Sequence, residues 1–202
     1  VLLDRNWAAM TKCLIICPPS ITTHWERFLK RWLQRDKYDN AKPHRTIYIH
    51  KGRNIPLPDD FDITIIGNNL ISGDFTMESI RENGYKSVCI DECHHFKAEK
   101  TQRTKAMIEI AGIVPHVVAM SGTPIMNRVD EYFPVLHMIK PEHWPTRQVL
   151  NNICEKDSRG QLMQIRPEHR PWFFQRTKNY IIRRKKKDHL TGLPKFTRIH
   201  EF

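Results

Sequence analysis

Glycine is scarce in this chain. There are eight in 202 residues, scattered along it, and nowhere do they stand in the order Gly-x-x-x-x-Gly-Lys-Ser/Thr that cradles nucleotide phosphates between backbone amides and a lysine. The nearest approach, Lys51-Gly52-Arg53, runs in the wrong order. No apolar run comes near the roughly 18 to 20 residues that span a bilayer as a helix, and no signal-peptide pattern opens the chain, so no membrane partner is expected. Acidic residues are also in deficit: 22 against 33 Lys and Arg, a formal net charge of +11. Such an excess suits an extended polyanion, nucleic acid first and an anionic membrane surface second. Cysteines number five. An odd count in ordinary contexts argues against a disulfide framework and for a reducing intracellular compartment, either nucleus or bacterial cytoplasm.

What is present is a globular composition, 40% hydrophobic and 27% charged, in a chain long enough to bury a real core as one domain with at most a small appendage. The first residue is Val1, and the stretch from Val1 to Met10 reads as the tail of a helix already under way. The chain is therefore expected to be a piece of a longer protein.

Cys13 to Cys17 is a short, wholly apolar run of the kind that forms a strand buried on both faces, and Pro18-Pro19-Ser20 stops it. Ser20, Thr22 or Thr23 would cap the helix that follows, roughly Ile21 to Leu33. Trp25, Phe28, Leu29 and Trp32 recur at intervals of three and four along it and are expected to pack in the core. Further strands are predicted at Arg45–His50, at Asp62–Gly67 ahead of a Gly-Asn-Asn turn, at Lys86–Ile90 and at Val114–Met120. Helices are predicted over part of Ser72–Asn83 and over Ala98–Ala111, the latter with Ala106, Met107, Ile110 and Ala111 inward. Strand and helix alternate, which predicts an α/β fold: a mostly parallel sheet with helices on both faces. From Phe133 to Tyr180 the pattern weakens into a loop-rich link, with Arg170-Pro171-Trp172-Phe173-Phe174 as an aromatic anchor for a last helix.

The most informative stretch is Ser87-Val88-Cys89-Ile90-Asp91-Glu92-Cys93-His94-His95, an apolar strand ending in two carboxylates and two imidazoles. The C-terminal edge of a parallel sheet is where α/β proteins place their chemistry. Adjacent acids there can divide the work of nucleotide hydrolysis. Asp91 would hold Mg²⁺ through water, an ion that takes only one or two protein carboxylates. Glu92 would orient and deprotonate the attacking water, and His94 would sense the γ-phosphate. In isolation an Asp-Glu pair is more often a solvated turn, and it is the surrounding residues that change the reading. Cys89, Cys93, His94 and His95 also resemble a zinc cluster; an extended chain would separate the two sulfurs by about 13 Å, too far for one tetrahedral ion, and only a tight turn after Ile90 would bring them together. The second polar cluster, Ser121-Gly122-Thr123-Pro124, ends the next strand, so both clusters are expected on one edge. There the hydroxyls of Ser121 and Thr123 would reach His94 or a phosphate-bound water.

These residues carry a family resemblance. Asp91-Glu92-Cys93-His94 with Phe96-Lys97, followed by Ser121-Gly122-Thr123-Pro124-Ile125-Met126-Asn127-Arg128 and Glu131, resembles motifs II and III of superfamily 2 helicases, motif II being a Cys93 variant of the DEAH box. The Asn-Arg extension is similar to that of the Swi/Snf-like double-stranded DNA translocases. Leu14-Ile15-Ile16-Cys17-Pro18-Pro19-Ser20 with Trp25 resembles that branch's motif Ia. Ile182-Arg183-Arg184-Lys185-Lys186-Lys187 resembles the basic segment closing its first lobe. Within the branch the annealing-helicase-like members look nearest.

The resemblance implies a first RecA-like lobe over 1–140 and a closing extension over 141–202 that leads towards a second RecA-like lobe. It implies ATP and Mg²⁺ as cofactors and double-stranded DNA, held by its phosphates, as partner. By carry-over Asp91, Glu92 and His94 are catalytic, with Asp91 the metal residue, and Ser121, Gly122, Thr123, Pro124, Asn127 and Arg128 couple hydrolysis to movement. Pro19, Ser20, Thr22, Arg183, Arg184 and Lys187 would contact the nucleic acid. Lacking both the phosphate loop and the second lobe, this chain by itself is expected not to turn over ATP. The alternatives are another superfamily 2 motor, such as a restriction-type translocase or an RNA helicase, and a non-catalytic nucleic-acid-binding module.

Overall fold

The computed structural model describes residues 12–33, 45–122 and 128–183. Its centre is a five-stranded, all-parallel sheet built from β1 (Cys13–Cys17), β2 (Ile47–His50), β3 (Ile63–Gly67), β4 (Ser87–Ile90) and β5 (His116–Ala119), in the order β2-β3-β1-β4-β5. This is the predicted α/β class. Every residue of β1 and β3 is buried, which explains the unbroken apolar sequence of β1 and the nearly apolar one of β3, where only Thr64 is polar: a strand covered on both faces has no solvent side to make polar.

Side chains alternate between two cores. Cys13, Ile15, Cys17, Ile63 and Ile65 face α1 (Thr22–Leu33) and meet its Leu29 and Leu33. Leu14, Ile16, Ile66, Val88 and Ile90 face the other way, towards α2 (Asp74–Glu82), α3 (Gln102–Ile113) and α4 (Phe133–Ile139), which contribute Met77, Ile80, Met107, Ile110, Val135 and Met138. Each fully buried Leu or Ile contributes roughly 1.5–3 kcal/mol. No helix among the described residues is long and apolar enough to cross a membrane.

The structure differs from the sequence reading in three places. The aromatic stripe of α1 is only in part a core face: Trp25 packs against the core with Leu29 and Leu33, while Phe28 is 47% and Trp32 61% exposed. α3 begins at Gln102 rather than Ala98, because the Thr101 side chain accepts a hydrogen bond from the Thr104 amide and caps the helix there. The stretch after Phe133 is more ordered than its sequence pattern. It holds α4, α5 (Gln148–Ile153) and an antiparallel hairpin of β6 (Cys154–Lys156) and β7 (Leu162–Ile165). The hairpin turns at Gly160 with φ +76° and on the Asp157 carboxylate, which accepts from the amides of Arg159 and Gln161. Trp144, read as part of a loop, is fully buried, and its carbonyl lies 2.8 Å from His137 Nδ1.

By contacts the chain divides into Val1–Arg166, which contains the sheet, and Pro167–Phe202. The second unit contains a short 3₁₀ turn and α6 (Arg170–Thr177), along which the Arg176 guanidinium lies 5.0 Å from the centre of the Trp172 ring.

Two measurable properties follow from this burial. Burial pushes the Cys17, Cys89 and Cys93 thiols up to about 12, with the nearby carboxylates adding to it, and Cys13 and Cys154 to about 11. Only the thiolate reacts, so alkylation of the folded chain at pH 8 should run at least about 100-fold slower than that of a free cysteine. All five thiols should become reactive in denaturant, and fast reaction of any one in the native state would contradict the packing. His50, 2% exposed, is held below the ordinary imidazole value by burial, only partly offset by the Gly52 backbone. The unfolded chain then takes up a proton that the folded chain resists, so stability is full above about pH 6.5 and falls as pH drops below it. Denaturant midpoints between pH 7.5 and 5.5 should show that fall, and His50→Gln should flatten it.

Candidate functional site

Three backbone hydrogen bonds assemble the edge of the sheet. Past the end of β4, the Asp91 amide still donates to the Ile16 carbonyl of β1 at 2.8 Å. On the other side the Met120 amide donates to Ile90 at 2.8 Å and the Cys93 amide to Met120 at 2.9 Å. The segment 91–93 is thus pinned between the ends of β1 and β5. The chain can make this turn only by placing Glu92 at φ 49°, ψ 51°, the one non-glycine positive φ among the described residues. A residue with a Cβ costs of order 1–3 kcal/mol in that region, and such strain gathers where geometry serves function. A single 3₁₀ turn, Cys93–Phe96, follows, anchored by the buried Cys93 and Phe96.

Around this turn the polar groups close on one another. His94 Nδ1 is 2.9 Å from Ser121 Oγ and 3.1 Å from Glu92 Oε2, and the Ser121 hydroxyl is 3.4 Å from the same carboxylate oxygen. All three contacts are satisfied when Nδ1 carries its proton and shares it between Ser121 Oγ and Glu92 Oε2, while the Ser121 hydroxyl donates on to the same carboxylate oxygen. The expected meeting of the Asp91–His94 and Ser121 clusters is therefore observed. The Glu92 side chain remains 39% exposed, open to a water or a ligand.

Asp91 sits apart from that triangle. Its Oδ1 accepts from the Glu92 amide at 2.9 Å and its Oδ2 from the indole N–H of Trp25 at 2.9 Å. Trp25 packs against the core as its periodicity predicts, but the periodicity does not reveal this second contact. Its signal in the sequence is that an indole carries one donor needing a partner wherever it is half-buried. As a metal ligand set the edge is hard and sparse. Among the described residues no three His, Cys, Asp and Glu converge as a metal cluster, and Cys89 and Cys93 pack in the two different cores. One oxygen-donor carboxylate with spare lone pairs suits Mg²⁺ held partly by water and by substrate phosphates.

Pro19 and Ser20 lie exposed in a 3₁₀ turn, Pro19–Ile21, at the start of α1, where the Thr22 hydroxyl donates to the Pro19 carbonyl at 3.2 Å. That turn crosses close over the end of β3: a Cβ on Gly67 would come within 2.6 Å of Asn69 Oδ1 and 3.3 Å of Pro19 Cγ. The first turn of α1 holds no acidic residue. Gly122 has open space around it, while Thr123, Pro124 and Asn127 fall outside the described residues. Arg128 is engaged with its neighbours, its Nε 3.2 Å from the buried Asp130 and its guanidinium donating to Gln161. Asp130 also pairs with Arg147, and Glu131 with Lys97 at 3.4 Å. Arg183 is exposed in the second unit; Arg184 and Lys187 fall outside the described residues.

Residues 3–201 match the family model of the SNF2-related domain. Among individual proteins the chain is 26% identical over 179 residues to human chromodomain-helicase-DNA-binding protein 8, covering 83% of this chain and 7% of that protein. It is 27% identical over 183 residues to the putative ATP-dependent helicase/translocase YwqA of Bacillus subtilis, covering 83% of this chain and 18% of that one. It thus spans less than a fifth of the length of either. In fold it is similar to the Sulfolobus solfataricus SWI2/SNF2 ATPase core solved in complex with dsDNA, with a TM-score of 0.69 at 22% identity over 91% of this chain and 36% of that one. With a sheet of RecA-like order and a family match running from residue 3 to residue 201, the chain belongs to the SNF2-related domain family.

Proposed function

We propose that this chain is part of the first lobe of an ATP-driven motor that moves on double-stranded DNA. The observation that carries the reading is the convergence of Asp91, Glu92, His94 and Ser121 on the C-terminal edge of the sheet, in a family whose members include proteins named as ATP-dependent helicases or translocases.

Mg²⁺ bound with ATP supplies charge neutralisation on the phosphates. Asp91 would hold that ion through water, its two oxygens fixed by the Glu92 amide and Trp25. Glu92, strained into position and half open to solvent, takes the proton of the attacking water. The hydrogen-bonded path from Glu92 through Ser121 to His94 connects the state of that carboxylate to the segment beginning at Ser121, the coupling segment that continues through Gly122, Thr123, Pro124, Asn127 and Arg128. DNA is taken by its phosphates at Pro19, Ser20 and Thr22, where the amide end of α1 favours anions, and by the basic run Arg183, Arg184 and Lys187. The +11 charge of the chain fits a contact that ignores base sequence and weakens steeply with salt.

In this arrangement 1–140 is the lobe and 141–202 an extension towards a second RecA-like lobe. The 202 residues alone, which contain no Gly-x-x-x-x-Gly-Lys-Ser/Thr, are inactive. The free thiols fit a reducing, intracellular setting.

The test is ATP hydrolysis by the intact protein with and without duplex DNA. Duplex should stimulate turnover, and Glu92→Gln should reduce it by about 100-fold or more while nucleotide still binds. Duplex binding without hydrolysis in the wild type would instead assign a non-catalytic nucleic-acid-binding module.

A further inference from the structure

Trp25 stands out because its partner lies 66 residues away and is the candidate metal carboxylate. It sits in the first turn of α1, and its ring meets Phe28 edge-on, 6.1 Å between centroids. Its body packs against the core formed by Cys13, Ile15, Cys17, Leu29, Ile63 and Ile65. Such packing holds the indole at a fixed angle, and its single donor ends 2.9 Å from Asp91 Oδ2.

A carboxylate offers about four lone-pair sites. Here the Glu92 amide takes one on Oδ1 and Trp25 takes one on Oδ2. Neither donor alone fixes the carboxylate plane; together they leave one free lone pair on each oxygen for a hydrated cation. The backbone donor is local, on the residue next to Asp91 in the same pinned turn, and holds only one of the two carboxylate oxygens. The indole comes from a separate element and takes the other oxygen, so it is Trp25 that fixes the rotation of the carboxylate about its own side chain relative to α1. Phe28 and Trp32, the other aromatics of the stripe, are largely exposed and have no such partner on that edge.

We propose that Trp25 is a positioning residue for the metal site, its indole N–H orienting Asp91 so that the cation is held at full affinity. This rests on the motor reading above, in which Asp91 holds the cation. The same helix begins at the candidate phosphate-contact turn, so the DNA-facing residues and the anchor of the metal carboxylate share one rigid element.

The experiment uses the intact protein with two replacements at this position. One is Trp25→Phe. The other is β-(3-benzothienyl)alanine, which keeps the bicyclic shape and puts sulfur where the N–H was. Mn²⁺ bound together with a non-hydrolysable ATP analogue is measured by electron paramagnetic resonance, alongside the Mg²⁺ midpoint of ATP hydrolysis and the unfolding midpoint. Removal of a partner that orients a ligand costs about 10- to 100-fold in metal affinity. Because Asp91 acts here through water, a shift of about ten-fold is expected in both variants, with metal-free nucleotide binding unchanged and the benzothienyl protein as stable as the wild type. Wild-type cation affinity in the benzothienyl protein would overturn the role of Trp25 and leave the motor reading standing. A wild type that binds no cation with nucleotide would overturn both.

Discussion

The backbone pairing of β4 beyond its own end is the constraint on which the rest depends. The bonds from Asp91 to Ile16, from Met120 to Ile90 and from Cys93 to Met120 continue the sheet past the residues that make it a sheet. They bring three separate stretches of sequence to one place and allow the chain between them a single route. Everything polar at the edge inherits its position from that route: the left-handed Glu92, the short turn after it, and the contact between His94 and Ser121. The two cores above and below serve to hold β1, β4 and β5 in this register. Burial on both faces keeps β1 and β3 almost wholly apolar, and the one hydroxyl inside them, that of the buried Thr64, accepts from Tyr85 Oη at 2.9 Å.

Strain and ion pairs are distributed in a consistent way around this edge. Glu92 carries backbone strain of a kind that glycine would avoid, at the position proposed above for the acid that takes the proton of the attacking water. Next to it Arg128, Asp130, Arg147 and Glu99 form a chain of ion pairs, with a separate Lys97–Glu131 pair beside it, and together they tie the segment after the acidic turn to the segment after Ser121 and to the stretch beyond α4. Asp130 is buried, and a buried carboxylate needs its cations close by. Arg128 is therefore committed at least partly to structure, and any part it takes in coupling would pass through this network.

Much of the fold was legible in the sequence because strands buried on both faces announce themselves as short apolar runs, and Gly67, Asp91 and Ser121 mark where they end. The meeting of the Asp91–His94 and Ser121 clusters was legible for the same reason: parallel strands deliver their C-termini to one edge. Other features were not. The left-handed turn falls on a glutamate, so no glycine flags it. The stripe of Trp25, Phe28 and Trp32 has helical spacing, yet only Trp25 is tied to the sheet edge; periodicity shows that side chains share a face and says nothing of what covers it. The β6–β7 hairpin carries charge on two of its three first-strand residues, and Trp144 is surrounded by proline and histidine, so neither gives a local signal; both are set by tertiary packing.

The central claim is that the sheet edge holds Glu92 in a strained conformation for the sake of its chemistry. The direct measurement is the unfolding free energy of Glu92→Gly against the wild type, with duplex-stimulated ATP hydrolysis recorded on the same preparations of the intact protein. Glycine adopts φ near +50° without penalty, so the account predicts a gain of roughly 1 kcal/mol in stability together with loss of hydrolysis. Unchanged or lower stability, or hydrolysis that survives the substitution, would contradict it.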